Sequence, residues 1–197
     1  MVANAHAATA FVSGQGGGGF SQDVLRARPA VGPAIRSAAK ASSLWICICL
    51  VLMCQPASAA SNKVRITNLT DVSFGTISNF ASDAIQAESV CLYSDTNTSG
   101  YNITASGSGP AGAFQLSSGL SSLAYEVQWS SSAGQASGAQ LSSSVPLTGQ
   151  ISSATQQTCN NGPANSASLV VIVRSAALSS AAAGSYSGTL TLVVGPE

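Results

Sequence analysis

Between positions 123 and 129, Leu123, Tyr125, Val127 and Trp129 alternate with Ala124, Glu126 and Gln128. A two-residue period places successive side chains on opposite faces of an extended backbone, so "LAYEVQW" reads as one strand with an apolar face, and Glu126 points outward. The period recurs between clusters of Ser, Gly, Asn and Pro. Val64 and Ile66 share a face, as do Val72 and Phe74; Val90 and Leu92 oppose Cys91 and Tyr93; Tyr101, Ile103 and Ala105 line up together. "SLVVIVRS" at 168–175 is apolar on both faces until Arg174, the pattern of a strand buried centrally. A single helical turn is expected in "SAALSSAAAG" before Gly184. Seven or eight short strands with polar turns predict an all-β fold, a sandwich with an immunoglobulin-like plan.

The last of these strands lies in "GSYSGTLTLVVGPE" at 184–197, with Tyr186, Leu190, Leu192 and Val194 on one face and Thr189, Thr191 and Val193 on the other. An apolar sheet edge needs a neighbour for its backbone donors and acceptors. No downstream sequence supplies one, so the sequence predicts that the neighbour comes from another polypeptide.

Residues 1–60 are expected to lie outside the folded product. "SSLWICICLVLMCQPASAA" joins an uncharged apolar run to a small-residue cleavage pattern, with Arg36 and Lys40 just upstream, and this reads as a secretory signal peptide cut after Ala59 or Ala60. A lipid-attachment reading through Cys54 meets the bulky Met53. Residues 1–35, with "GQGGGGF" at 14–20, show no apolar periodicity and read as a long prefix, or as a start codon assigned too far upstream. The expected domain, 61–197, has three basic residues (Lys63, Arg65, Arg174) against six acidic ones (Asp71, Asp83, Glu88, Asp95, Glu126, Glu197), a net charge of −3 that attracts no nucleic acid. Its two cysteines, Cys91 and Cys159, suit an oxidising compartment and a disulfide worth roughly 4 kcal/mol in the loop-entropy picture.

Catalysis needs convergent titratable groups, and the only histidine, His6, lies in the prefix. Ser-His-Asp and Cys-His machinery is therefore not expected, nor is a zinc site built on two thiols. "GSGPAG" at 107–112 matches G-x-G-x-x-G, but Pro110 and the strands around it indicate a turn. The six carboxylates are scattered, with Asp71, Asp83 and Asp95 in turn-like surroundings, and Tyr101, Tyr125, Trp129 and Tyr186 fit a core better than a sugar platform. The sequence predicts a protein that is not an enzyme and carries no cofactor or metal.

"VSFGTIS" at 72–78, "VCLYS" at 90–94, "LAYEVQWS" at 123–130 and "AGSYSGTLTLVV" at 183–194, taken in this order, resemble the spore-coat-protein-U-like pilin domain of archaic chaperone–usher pili. The resemblance covers about residues 62–197, and its most telling pieces are the Phe-Gly after the first strand and the terminal Ala-Gly-x-Tyr. It implies an immunoglobulin-like sandwich that is incomplete, lacking its last strand, with a hydrophobic groove beside the C-terminal one. Tyr186, Leu190, Leu192 and Val194 would line that groove. A periplasmic pilus chaperone would lend a strand, an outer-membrane usher would assemble the fibre, and other pilin subunits would take over by strand donation. The protein would pass through the periplasm to the cell surface.

Two departures qualify the resemblance. Such subunits often carry a further cysteine before the Phe-Gly element, where this chain has Ile66 or a neighbour. A donor also needs a long alternating extension, and about a dozen residues separate Ser61 from Phe74, so the expected role is an acceptor at a fibre tip or an accessory subunit. Alternatives are a self-contained secreted binding domain, which would close its own sheet, and a secreted enzyme, which would gather carboxylates in a pocket. The pilus reading requires one edge of the terminal strand to be free of the protein's own chain.

Overall fold

The computed structural model describes residues 1–6, 10–12 and 62–197. The signal-peptide expectation lies outside them. One compact unit comprises Met1–Gln15 together with Ser61–Glu197. Its described strands are β1 (Val2–His6), β2 (Ala10–Val12), β3 (Val64–Thr67), β4 (Val72–Thr76), β5 (Ala84–Ser94), β6 (Gly100–Gly107), β7 (Gln115–Ser118), β8 (Ser121–Ala124), β9 (Glu126–Ser130), β10 (Ala139–Gln140), β11 (Leu147–Ile151), β12 (Ala167–Val173) and β13 (Ser185–Pro196).

They form two sheets packed as a sandwich. The first runs β11-β6-β13-β1-β4, with β2 also paired to β13 and the β7–β8 hairpin joined through β7; the second runs β10-β9-β12-β5-β3. Ladders are antiparallel except those of β1 and β2 with β13, which are parallel. Between the sheets lies one core that includes Val64, Ile66, Val90, Leu92, Tyr101, Ile103, Val127, Trp129, Leu169, Val171, Leu190 and Leu192. The all-β expectation holds, and the alternating residues of β3, β5 and β6 are buried as their period requires.

Strands are more numerous than the seven or eight expected. Short pairs such as β10, whose two residues lie opposite Trp129 and Gln128, leave no periodic trace. "LAYEVQW" is two strands, since β8 pairs with β7 in the first sheet and β9 with β12 in the second. Tyr125 makes the crossing, its N–H donating to the Phe114 carbonyl at 3.0 Å. The alternation survives because both inner faces look onto the same core, and Leu123, Tyr125, Val127 and Trp129 are all buried. A similar switch separates β3 from β4 at Asn68, whose φ of 63° is one that asparagine tolerates.

β12 is buried on both faces. Its inner side joins the core, and its outer side is covered in part by the 131–138 loop, where Ser168 Oγ donates to the Ser132 carbonyl at 2.9 Å and accepts from the Gln135 N–H at 3.0 Å. The expected helical turn is α1 (Ser175–Ser180), which buries Leu178. The "GSGPAG" stretch closes as a 3-10 turn at Pro110–Gly112.

Candidate functional site

β13 occupies the middle of the first sheet. On one edge its Leu190–Pro196 stretch pairs with β6, from Leu190 opposite Gly107 to Pro196 opposite Tyr101, and Ser187 pairs with Ser117 of β7. On the other edge lie β1, from Val2 opposite Ser185 to His6 opposite Thr189, and β2, from Ala10 opposite Leu192 to Val12 opposite Val194. β13 is therefore flanked on both sides by its own chain, which corrects the expectation of a free edge. Residues read as a prefix without periodicity supply the missing neighbour. Backbone pairing needs only an extended donor-acceptor row, so an alanine-rich stretch fills the place although its side chains give almost no strand signal. The one trace is Ala3 and Ala5 alternating with Asn4 and His6.

Beyond β1 lies β4, whose only ladder partner among the described residues is β1. β4 and β13 thus bound a slot one strand wide, about two strand spacings or roughly 9.6 Å across. The ladder of β1 with β4 shifts between Ala3, opposite Gly75, and Asn4, opposite Ser73, leaving Phe74 as the extra residue of a bulge. Gly75 has a φ of +59°, the left-handed conformation that glycine adopts without strain. This gives the Phe-Gly pair a physical role: the glycine permits the kink and Phe74 packs against the core.

Four site residues expected from sequence come together on the inward face of β13. Tyr186, Leu190, Leu192 and Val194 are all buried and belong to the core that also holds Val72 and Ile77. They form the apolar inner face of β13 along the edge that β1 and β2 cover. The Tyr186 hydroxyl donates to the Ala182 carbonyl at 3.0 Å, fixing the turn that leads into β13. At this end the Met1 carbonyl accepts from the Ile77 N–H at 2.8 Å. A cavity of about 350 Å³ opens here, lined by Met1, Phe80, Leu178, Ser179, Ala181 and Ala183.

The other predicted pair lies elsewhere. Cys91 and Cys159 are bonded, with Cα atoms 5.9 Å apart, and form a small cluster with Ala154 outside the main core. Here the chain between β11 and β12 is tied to β5. Ser166 Oγ accepts from the Leu92 N–H at 2.8 Å and donates to the Leu92 carbonyl at 2.6 Å, taking the place of the ladder just before β12 begins. The bridge shapes the sandwich and takes no part in the slot.

Charge gathers at the end of the sandwich where β5 and β9 begin and β12 finishes. Arg174 binds Asp83 at 2.8 Å and Glu126 at 2.5 Å, and Asp83 also accepts the Ser175 N–H at 2.8 Å, closing the first turn of α1. The Ser175 N–H, followed by Arg174, holds the Asp83 carboxyl below its usual range, and Arg174 is held protonated first by Glu126 and then by Asp83. Arg174 offsets one of the two carboxylate charges, leaving the cluster with a net charge of −1. Among the described residues no three His, Cys, Asp or Glu side chains gather to hold a metal ion. What the slot offers is backbone hydrogen bonding above an apolar floor, the chemistry of strand addition.

No protein-family model and no curated protein matches the sequence.

Proposed function

We propose that this protein is a structural or adhesive subunit of a surface pilus, assembled by strand complementation through a chaperone–usher pathway. The observation that supports the reading is the edge of β13 covered by residues 2–6, which also pair with β4, and by residues 10–12, rather than by any part of 62–197. Those residues lie upstream of the signal cleavage expected after Ala59 or Ala60. Cleavage would detach them, leaving the facing edges of β4 and β13 unpaired and the floor of Tyr186, Leu190, Leu192 and Val194 uncovered. A strand from a periplasmic chaperone, and then from another subunit, would restore both the backbone pairing and the apolar cover. Because β3 begins at Val64, a chain starting at Ser61 has no extension to donate, which suits a tip or accessory position.

One observation favours a second reading. If residues 1–12 stay with the domain, the sheet is complete without a partner and the protein is a self-contained secreted β-sandwich. Expressing the full gene in a bacterium that also makes a pilus chaperone, then measuring the intact mass of the exported protein, separates the two. A chain beginning near Ser61 in a one-to-one chaperone complex is the expected result. A free monomer that retains residues 1–12 would favour the self-contained domain.

A further inference from the structure

We propose that Val2–His6 and Ala10–Val12 form a displaceable cap on the slot: while they are in place the chain refuses an outside strand, and when their pairing is broken it accepts one. The inference rests on the strand-accepting reading above and concerns the chain before cleavage, while residues 1–12 are still attached. The cap and an incoming strand need the same backbone groups of β13 and β4, so the two exclude each other.

The cap is built to hold weakly. Three of the five residues of β1 are Ala3, Asn4 and Ala5, types that strands disfavour. Its pairing with β13 is not continuous in register. The register offset differs between the two strands, His6 lying opposite Thr189 and Ala10 opposite Leu192. A second irregularity interrupts its ladder with β4 between Ala3 and Asn4. At its start, the Met1 carbonyl accepts from the Ile77 N–H at 2.8 Å, and Met1 lines the cavity beside Leu178 and Ala181. A strand of alternating branched or aromatic residues, continuous in register, would make the same backbone bonds and cover the floor better. The partner class is accordingly an extended, uncharged, alternating apolar segment.

The test uses the full-length chain and a synthetic peptide with the sequence of residues 1–15. Ala5→Pro removes a backbone donor from the middle of β1, where both edges are paired. The peptide is added to each protein, and one-to-one adducts are counted by native mass spectrometry. The expected result is about tenfold or more uptake by the proline variant over the unmodified chain. Equal uptake by both proteins would overturn the cap and leave the strand-accepting reading standing. No uptake by either, with the variant folded, would overturn both.

A second variant covers the case in which the proline chain does not fold. Asn4→Cys with Ser187→Cys places two thiols opposite each other in the parallel register. Peptide mapping should find the 4–187 disulfide, and over long incubation the oxidised protein should take up about tenfold less peptide than the same protein with that bond reduced. Absence of this bond, or uptake that ignores its state, would overturn the proposal.

Discussion

Trp129 donates its indole N–H to the hydroxyl of Tyr101 across 2.9 Å, joining β9 of one sheet to β6 of the other through the middle of the core. Both side chains are buried. The Tyr125 hydroxyl, by contrast, is buried without a hydrogen-bond partner. Tyr101→Phe should cost about 1–3 kcal/mol, because the buried indole N–H loses its acceptor. Tyr125→Phe removes an oxygen that burial already penalises, and should leave stability unchanged or slightly raised. Denaturant midpoints of the two variants should therefore move differently, by an amount well outside the error of paired unfolding curves.

The same two phenols set an alkaline limit. Burial pushes Tyr101 and Tyr125 up to about 12, the Tyr101 shift being offset in part by its bond to Trp129. A pKa raised on folding means that the native state favours the neutral phenol. Its contribution is complete below the unfolded value near 10 and is lost as pH rises towards 12. Absorbance near 295 nm should show two of the tyrosines ionising late, together with loss of structure. Tyr101→Phe should remove one of these late steps.

Cys91 and Cys159 close a loop 68 residues apart in sequence. Replacing both with serine should destabilise the domain by about 2–5 kcal/mol, the range for a native bridge in a small secreted domain. The unfolding midpoint of the oxidised protein should exceed that of the double variant. Reductant should shift the first protein and leave the second unmoved.

Asp83 predicts an acid response of opposite sense to that of the phenols. Its carboxyl is held low, chiefly by the Ser175 N–H and then by Arg174, so the folded state favours the charged form. That contribution is present above the ordinary unfolded value of 3.8 and fades as pH falls through the lower folded value. Asp83→Asn should flatten the acid limb of a stability-versus-pH curve and loosen the first turn of α1, seen as faster amide exchange around Ser175.

The floor of the slot is open to a direct measurement. Leu192 is fully buried beneath the edge that faces Ala10. Leu192→Ala should cost about 2–5 kcal/mol, the range for emptying a leucine site in a packed core. Thr191→Ala, half-exposed on the other face of the same strand, should change stability by about 0.5 kcal/mol or less.

The alternating residues of "KVRIT", "YNITA" and "TLTLVV" could be read directly because burial on one face of a strand imposes a period that local sequence carries. For the same reason, Tyr186, Leu190, Leu192 and Val194 were identifiable as one apolar face. "LAYEVQW" carried the right burial and the wrong connectivity, since side-chain period reports which face meets the core and says nothing about which sheet the backbone joins. Ala139–Gln140 and Leu147–Ile151 escaped notice because edge strands with exposed or half-exposed residues need no apolar rhythm.

Sequence alone determined an all-β chain, its buried faces and the two cysteines that pair, because those properties follow from local hydrophobic pattern and residue chemistry. Only the tertiary structure decided what lies beside β13. That choice is made by backbone hydrogen bonds between segments nearly two hundred residues apart, and neither Val2–His6 nor Ser185–Thr189 carries a side-chain signal that names the other.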